Sequence, residues 1–182
     1  QAQHLMQFAS MGDVVARALA GIDKPRIGLL NIGEEEIKGN DLIKQTHQLL
    51  KLSNLNYVGY VEGDGIFKGE ADVVICDGFV GNISLKTSEG VAKMMANFIK
   101  QEIYRNWLTK LTGVIAYPIW QGLKKKMNPS NYNGASLVGL TGIVIKSHGS
   151  ADADSFAQAV KVAIKAVEQD IPSLIAANMA QS

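Results

Sequence analysis

Short apolar runs alternate with helical patterns along this chain of 182 residues. Four runs of four to seven mostly apolar residues, each typical of a strand, occupy residues 26–32, 55–61, 72–77 and 143–146. The first and last of them are typical of strands buried on both faces. Alternating strands and helices predict an α/β fold with a largely parallel sheet. We find no internal repeat.

The segments between these runs carry apolar residues at the three- and four-residue spacing of helices. Glycine, proline and asparagine mark several of their ends. The predicted helices are residues 4–20, a segment capped by Asn40, a segment after residue 82, two short helices within 106–127 joined near 116–118, one ending near Asp170, and one opened by Pro172.

Polar segments with glycine follow three of the predicted strands, at residues 33–40, 77–82 and 147–150. In α/β sheets, ligands bind beyond the carboxyl ends of the strands. Glycine lets backbone N–H groups approach an anion closely, and helix N-termini favour negative charge. We therefore expect a site where these three predicted loops converge.

Several side chains in or beside these loops suit a phosphate and a polarised carbonyl. Lys38, Lys86 and Lys146 can supply positive charge, Asn82 can donate through its amide, and His148 can donate or accept a proton. Any one of these residues alone is better explained as part of an ordinary turn or a solvated surface. The convergence of three such loops is what points to a site.

Other common sites are excluded or not indicated. There is no GxGxxG, P-loop or GxSxG motif, so dinucleotide binding, P-loop chemistry and the α/β-hydrolase nucleophile are not indicated. The single cysteine, Cys76, excludes an intramolecular disulfide and is expected to be a buried, inert thiol. The three histidines lack metal-ligand spacing, and we expect no metal site.

The charge is almost balanced overall but not along the chain. With 18 basic and 17 acidic side chains the formal net charge is +1, yet residues 100–130 hold six basic side chains and one acidic one. This basic segment indicates a surface that meets anions. Nucleic acid is a poor candidate because the segment is short and has no matching motif.

Residues 106–127 mix two tryptophans and a tyrosine with aliphatic residues, and three lysines close the segment. One interpretation is an interfacial element that contacts a membrane. The other is a helical hairpin packed in a dimer interface, with the lysines as a solvated cap. Both hold if only the tip is exposed.

The motifs in these segments resemble the PlsX family of bacterial phosphate acyltransferases, over roughly residues 4–178. The residues that carry the resemblance lie at 26–35, 38–41, 77–82, 85–87, 133–137 and 145–150.

This resemblance implies transfer of a fatty acyl group from acyl carrier protein to inorganic phosphate, giving acyl phosphate for phospholipid synthesis. It implies a three-layer α/β/α fold, similar to isocitrate and isopropylmalate dehydrogenases. It also implies a homodimer, no metal or organic cofactor, and a cytoplasmic protein in peripheral contact with anionic membrane through a protruding hairpin at 106–127.

The resemblance also assigns expected roles to residues of the loops. Lys38 and Asn82 would form the catalytic core, Lys86 would supply charge to phosphate, and His148 would give a proton to the leaving thiol. Asp77 would orient its neighbours. The other expected substrate-binding residues are Gly39, Asn40, Gly78, Gly81, Ser147 and Gly149, and the expected membrane-contact residues are Val114, Ile115, Tyr117, Ile119 and Trp120.

Members of that family are about twice as long as this chain, and the Met-Gly-Gly-Asp motif of their opening strand is absent here. Residues 1–182 are therefore expected to be a C-terminal portion of the enzyme. Two alternatives stay open: a non-catalytic fragment that dimerises and binds membrane, and a phosphotransacetylase-like protein that uses an acyl-CoA donor.

Overall fold

The computed structural model describes residues 1–127, 133–149 and 151–180. These residues form an α/β structure that is mostly helical and contains a small parallel sheet. The helices are α1 (Ala2–Val15), α2 (Asp41–Lys51), α3 (Gly65–Lys68), α4 (Gly78–Tyr104), α5 (Trp107–Ile115), α6 (Tyr117–Met127), α7 (Ala153–Glu168) and α8 (Ile171–Met179), and the strands are β1 (Ile27–Leu30), β2 (Tyr57–Val61), β3 (Val73–Ile75), β4 (Ala135–Ser136) and β5 (Ile145–Lys146).

The parallel sheet has the order β2-β1-β3, which confirms the predicted parallel arrangement for the first three strands. Every residue of the central strand β1 is buried, and Ile27 and Leu29 are fully enclosed. Gly28 is required between them, because a Cβ there would lie 2.4 Å from Cγ2 of Val61 on the neighbouring strand. Within the apolar run at 26–32, Ile27–Leu30 thus form a strand covered on both faces, whereas Arg26 and Ile32 are exposed.

The prediction of a buried strand at 143–146 is wrong. Only Ile145 and Lys146 form strand there, and they pair antiparallel with Ala135–Ser136 in a separate two-stranded ribbon. Ile145 is half-buried and Lys146 is exposed. The chain turns back between the two strands, and Gly139 with φ of +82° allows this turn. As a result β5 pairs with β4, which precedes it along the chain, and not with the parallel sheet.

Most of the predicted helices begin and end close to the predicted residues, with α4 as an exception because it begins at Gly78. The segment at 4–20 forms α1 followed by a π-helical turn, Ala16–Ala20, and ends at Gly21 in the left-handed conformation. Asn40 caps α2 by accepting a hydrogen bond from the N–H of Ile43. Pro172 lies in the first turn of α8, as its fixed φ favours.

Two apolar clusters form the core. The first joins α1, the three-stranded sheet and α2, and the second joins α1 to α7 and α8. Helix α1 approaches β3 closely, because a Cβ on Gly12 would lie 2.8 Å from Cγ1 of Val73. The buried apolar members are Leu5, Ala9, Ile27, Leu29, Ile43, Leu50 and Ile75 in the first cluster and Met11, Val14, Ala166, Ile171 and Ile175 in the second.

The described residues divide into two compact units. The first combines residues 1–77 with the described residues from 133 onward, and the second contains α4, α5 and α6. In the second unit, α4 packs on α5, and the absent side chain of Gly113 leaves room for Ile103. Helix α5 ends at Ile115 and α6 begins at Tyr117, which confirms the predicted break. Among the described residues, no helix combines the length and apolarity needed to cross a bilayer.

An ion pair between Arg26 and Asp72 joins the start of β1 to the start of β3. The Asp72 carboxylate accepts hydrogen bonds from the Arg26 backbone N–H at 2.8 Å, from Nε at 3.1 Å and from Nη2 at 2.9 Å. The same guanidinium donates to the carbonyl oxygens of Gly69 and Glu70. The hydrogen bonds that Asp72 accepts from Arg26 lower the pKa of Asp72 to about 2.

This ion pair predicts an acid-sensitive contribution to stability. An unfolded aspartate has a pKa of about 3.9, so Asp72 stabilises the fold above that pH and loses its contribution as pH falls from about 4 to about 2. Asp72→Asn should flatten the fall in the free energy of unfolding over that range, measured by urea denaturation at a series of pH values. Asp23→Asn, at an exposed loop position, is the control. Equal slopes for the unaltered chain and Asp72→Asn would contradict this role.

Candidate functional site

The loop at residues 33–40 begins directly after β1 and is held from inside by Asn31. This buried side chain donates from Nδ2 to the carbonyl oxygen of Gly33 at 3.0 Å, while its backbone N–H donates to Val61. The N–H of Lys38 closes a turn on the carbonyl oxygen of Glu35 at 2.9 Å. The predicted loop is confirmed, and its backbone has a defined path.

Two glycines of this loop are needed for its shape. Gly39 has φ of +86°, and a Cβ there would lie 2.5 Å from Oδ1 of Asn31. The exposed side chain of Lys38 passes over Gly33, where a Cβ would lie 3.1 Å from Cγ of Lys38. The loop therefore presents Lys38, Gly39 and Asn40 together at the carboxyl end of β1. Because Oδ1 of Asn40 caps α2, a substrate contact from Asn40 would come from Nδ2.

Glu36 connects this loop to α2. Its Oε1 accepts a hydrogen bond from Nζ of Lys51 at 2.5 Å and lies 3.8 Å from Nε2 of His47. The hydrogen bond from Lys51 lowers the pKa of Glu36. Burial and then Lys51 lower the pKa of His47, with Glu36 acting in the opposite direction, so the imidazole is neutral at pH 7.

The second predicted segment, at 147–150, lies after β5 and is held by Asn133. Asn133 is buried, accepts the backbone N–H of His148 at 2.8 Å and donates from Nδ2 to Oγ of Ser147 at 2.9 Å. The same Nδ2 donates to the carbonyl oxygen of Ser155 in the first turn of α7. Asn133 thus fixes Ser147 and His148 relative to α7. Gly149 belongs to the same turn, and residue 150 lies outside the described residues.

The third predicted loop, at 77–82, is mostly helix, and this prediction is wrong. Only Asp77 and the preceding Cys76 link β3 to α4, because the helix begins at Gly78. Gly78 and Gly81 therefore belong to the first turn of α4, and Asn82 follows them. None of the four residues between Asp77 and Asn82 is a proline, so all of them can adopt helical backbone angles. Glycine next to a strand does not by itself distinguish a turn from a helix start. Cys76 is half-buried, not buried as predicted. Burial and then Asp77 raise the pKa of its thiol, which fits an inert cysteine.

Lys86 lies one turn further along α4 and already has an acidic partner. Its Nζ lies 2.9 Å from Oε2 of Glu89, one turn away on the same helix. The predicted site residues are thus distributed over both compact units. Lys38, Gly39 and Asn40 share the loop after β1, Ser147, His148 and Gly149 share the turn after β5, and Gly78, Gly81, Asn82 and Lys86 share the start of α4.

The expected membrane-contact residues lie on both sides of the break at Ala116. Val114 and Ile115, at the end of α5, are 71% and 74% exposed, and Ile119 in α6 is 65% exposed. Tyr117 is also exposed and Trp120 is half-buried. The tip therefore presents contiguous apolar side chains to solvent.

Sequence reasoning missed three residues that shape this region. Asn31 and Asn133 were not predicted to hold the two loops, although each lies at a sheet end next to a glycine-containing segment. His47 was considered only as a metal ligand, yet it contacts Tyr57 and Tyr60 of β2. Its position on the buried face of α2 was the signal that it packs against the sheet, and its place four residues before Lys51 was the signal that the two side chains are neighbours.

Comparison with known proteins finds the same family of relatives along nearly the whole chain. A family model described as "Fatty acid synthesis protein" matches residues 1–174. A protein named Phosphate acyltransferase from Alcanivorax borkumensis is 58% identical over 98% of this chain and 53% of its own length. Proteins of the same name from Alkalilimnicola ehrlichii and Halorhodospira halophila are 58% and 53% identical, over 96% and 97% of this chain and 51% and 52% of theirs.

The fold and these matches define an α/β protein that is similar over nearly its whole length to proteins named Phosphate acyltransferase. The chain belongs to the fatty acid synthesis protein family, the family of the proteins named Phosphate acyltransferase. It spans about half the length of the curated relatives it matches.

The geometry of the first loop predicts a specific effect of Gly39→Ala. An alanine at φ of +86° is strained, and its Cβ would press against Asn31, so the free energy of unfolding should fall by about 1–3 kcal/mol. Urea denaturation measures this. Gly63→Ala is the matched control, because a Cβ there would meet open space, and it should change stability by less than about 0.5 kcal/mol. Equal effects of the two substitutions would contradict the account of the loop.

Proposed function

We propose that this chain carries catalytic residues of a phosphate acyltransferase, which transfers a fatty acyl group from acyl carrier protein to inorganic phosphate. The observation that carries the proposal is the loop at 33–40. It presents exposed Lys38 directly after a buried parallel strand, in a chain 53–58% identical to proteins named Phosphate acyltransferase.

In this reaction a phosphate oxygen attacks the carbonyl carbon of the acyl thioester, and negative charge grows on the carbonyl oxygen. The C–S bond then breaks, and the thiolate leaves with the electron pair. Lys38 binds phosphate and, with Asn82, stabilises the developing oxyanion. His148 gives a proton to the departing sulfur. Because a thiolate is a good leaving group, no covalent enzyme intermediate is needed.

The start of α4 has the chemistry for the anion. The N-terminal end of a long helix favours negative charge, and Gly78 and Gly81 carry no side chains to obstruct an approaching phosphate. In the proposal Lys86 adds charge one turn further on, and Asp77 orients its neighbours. Gly39, Asn40, Ser147 and Gly149 complete the substrate contacts.

The donor is proposed to be acyl carrier protein, which is acidic. The basic segment at 100–130 steers such a partner electrostatically. Within it Lys110 lies over the ring of Tyr104 and Arg105 pairs with Glu102, so part of its charge is held in place. An acyl-CoA donor, as in phosphotransacetylases, is the alternative for the same reaction.

Lys38→Ala tests the catalytic proposal. Loss of one donor to a developing oxyanion typically costs about 10²- to 10³-fold in rate, and we expect a loss of that size. The assay is phosphate-dependent release of acyl carrier protein from its palmitoyl form. It uses this chain, a full-length family member, and the corresponding variants. Lys44→Ala, an exposed lysine on α2, is the control.

The outcomes separate the catalytic hypothesis from its alternatives. A rate for Lys38→Ala equal to that of Lys44→Ala would remove Lys38 from the site. If the full-length protein releases no carrier but uses acyl-CoA, the phosphotransacetylase-like alternative takes its place. If it uses neither donor and still binds membrane and dimerises, the non-catalytic alternative holds.

A second role is proposed for the segment at 106–127: peripheral contact with anionic membrane by a cytoplasmic protein. The observation that favours it is the exposed apolar tip at Val114, Ile115 and Ile119. In this proposal α5 and α6 form a hairpin that protrudes from a three-layer α/β/α fold like that of isocitrate dehydrogenase. The apolar stripe of α4, which includes Met95 and Phe98, meets a second copy in a homodimer.

Ile115→Glu tests membrane contact. Burying an isoleucine side chain contributes about 1.5–3 kcal/mol, so the variant should bind anionic vesicles at least about 10-fold more weakly. Tryptophan fluorescence reports binding, because Trp107 and Trp120 lie on the two helices. Leu52→Glu, at an exposed leucine of the first unit, is the control. Absence of a fluorescence shift for the unaltered chain at low salt would refute membrane contact.

A further inference from the structure

An open cavity of about 400 Å³ lies beside the Lys38 loop. Its lining includes Glu34 and Glu36 of that loop, His47 of α2, and Gly59 and Tyr60 of β2. Pockets for small molecules commonly enclose about 300–1,000 Å³. The cavity is therefore large enough for a ligand and shares a wall with the loop that carries Lys38.

Two buried polar atoms at this cavity make no hydrogen bond within the described residues: Nε2 of His47 and the hydroxyl oxygen of Tyr60. His47 is 5% exposed, and its ring is fixed by a 2.7 Å hydrogen bond between Nδ1 and the Tyr57 hydroxyl and by stacking on Tyr60. Glu36, 3.8 Å from Nε2, is too far for a hydrogen bond. Buried polar groups normally have partners, so these two atoms indicate a ligand with hydrogen-bonding groups.

The strand β2 adds backbone groups to the same wall. It lies at the edge of the sheet, and its outer side has no neighbouring strand among the described residues. Gly59 has φ of +101°, opposite an irregular register between Ile27 and Gly28, and no atom lies within 4 Å of the place its Cβ would occupy. The N–H and C=O groups of such an edge pair with the amides of an extended chain.

The charges around the cavity limit the ligand further. Glu34, Glu36 and Glu70 line it, which disfavours an anion. Glu36 pairs with Lys51, and Glu70 lies 3.8 Å from Lys68, which is itself paired with Asp64 at 2.8 Å. The negative charge is therefore only partly compensated, and a neutral chain bearing amide groups fits better than an anion.

We propose that this cavity binds the amide-bearing pantetheine arm of the acyl donor. The inference rests on the proposed acyl transfer and names the part of the donor that the cavity recognises. The arm is neutral along its two amides, which pair with His47, Tyr60 and the edge of β2. Its thioester end then reaches the Lys38 loop along the shared wall, and its phosphate end remains at the open mouth.

The test uses reduced pantetheine, which lacks both a nucleotide and a carrier protein. Titrated into the ¹⁵N-labelled chain, it should shift the backbone amide signals of residues 34–36 and 58–61. Tyr60→Phe removes one hydroxyl and keeps the ring, and it should weaken binding about five-fold. Tyr104→Phe, on α4, is the matched control and should bind as the unaltered chain does.

A kinetic measurement separates this inference from the proposed function. Tyr60→Phe should raise KM for the acyl donor several-fold and leave KM for phosphate unchanged. Pantetheine binding at the cavity without any acyl transfer would support the inference and contradict the proposed function. Transfer with an unchanged donor KM in Tyr60→Phe would contradict the inference and leave the function standing. Absence of shifts in the backbone amide signals at the cavity would also overturn the inference.

The pantetheine arm occurs in both coenzyme A and acyl carrier protein, and competition distinguishes the two sources. Each should displace pantetheine if the arm is what binds. Tighter competition by holo-acyl carrier protein than by coenzyme A assigns the arm to the carrier protein, and the reverse order assigns it to coenzyme A. Failure of both to compete would contradict the assignment of the cavity to this arm.

Discussion

Complete burial of β1 is the constraint on which the rest of this structure depends. The strand is flanked by β2 and β3 and contributes Ile27 and Leu29 to the core that α1 and α2 close. No charged side chain fits along it, so charges concentrate at its two ends. At its start Arg26 pairs with Asp72, and at its end the chain leaves through the loop that carries Lys38. Burial of the strand thus places a lysine at the carboxyl edge of the sheet.

Both site segments of the first unit are held in the same way. A buried asparagine replaces the missing sheet hydrogen bonds, through Asn31 for the Lys38 loop and Asn133 for the His148 turn. A glycine with positive φ lies close to each of them, at Gly39 and Gly134. An asparagine side chain both donates and accepts, so one residue fixes two backbone segments. Such loops are ordered without being buried, which suits groups that must meet a substrate.

Periodicity and caps predicted the helices and the first three strands because those signals are local. Asn40 and Pro172 mark helix starts through their own backbone and side-chain chemistry. The pairing of β5 and the start of α4 were not predictable in this way. The first depends on which partner strand lies nearest, and a glycine after a strand begins a helix as readily as a turn. The contacts of His47 with β2 are tertiary and leave no pattern in the sequence.

The exposed apolar side chains of the second unit fall into two groups with different surroundings. On the stripe of α4, Met95 and Phe98 are about half exposed, at 47% and 53%, whereas Val114 and Ile115 at the tip exceed 70%. A helix of 27 residues is about 40 Å long, so its half-exposed stripe is an extended surface. In the proposed homodimer a second copy covers this stripe. In the proposed membrane contact the few large side chains of the tip enter the lipid surface together.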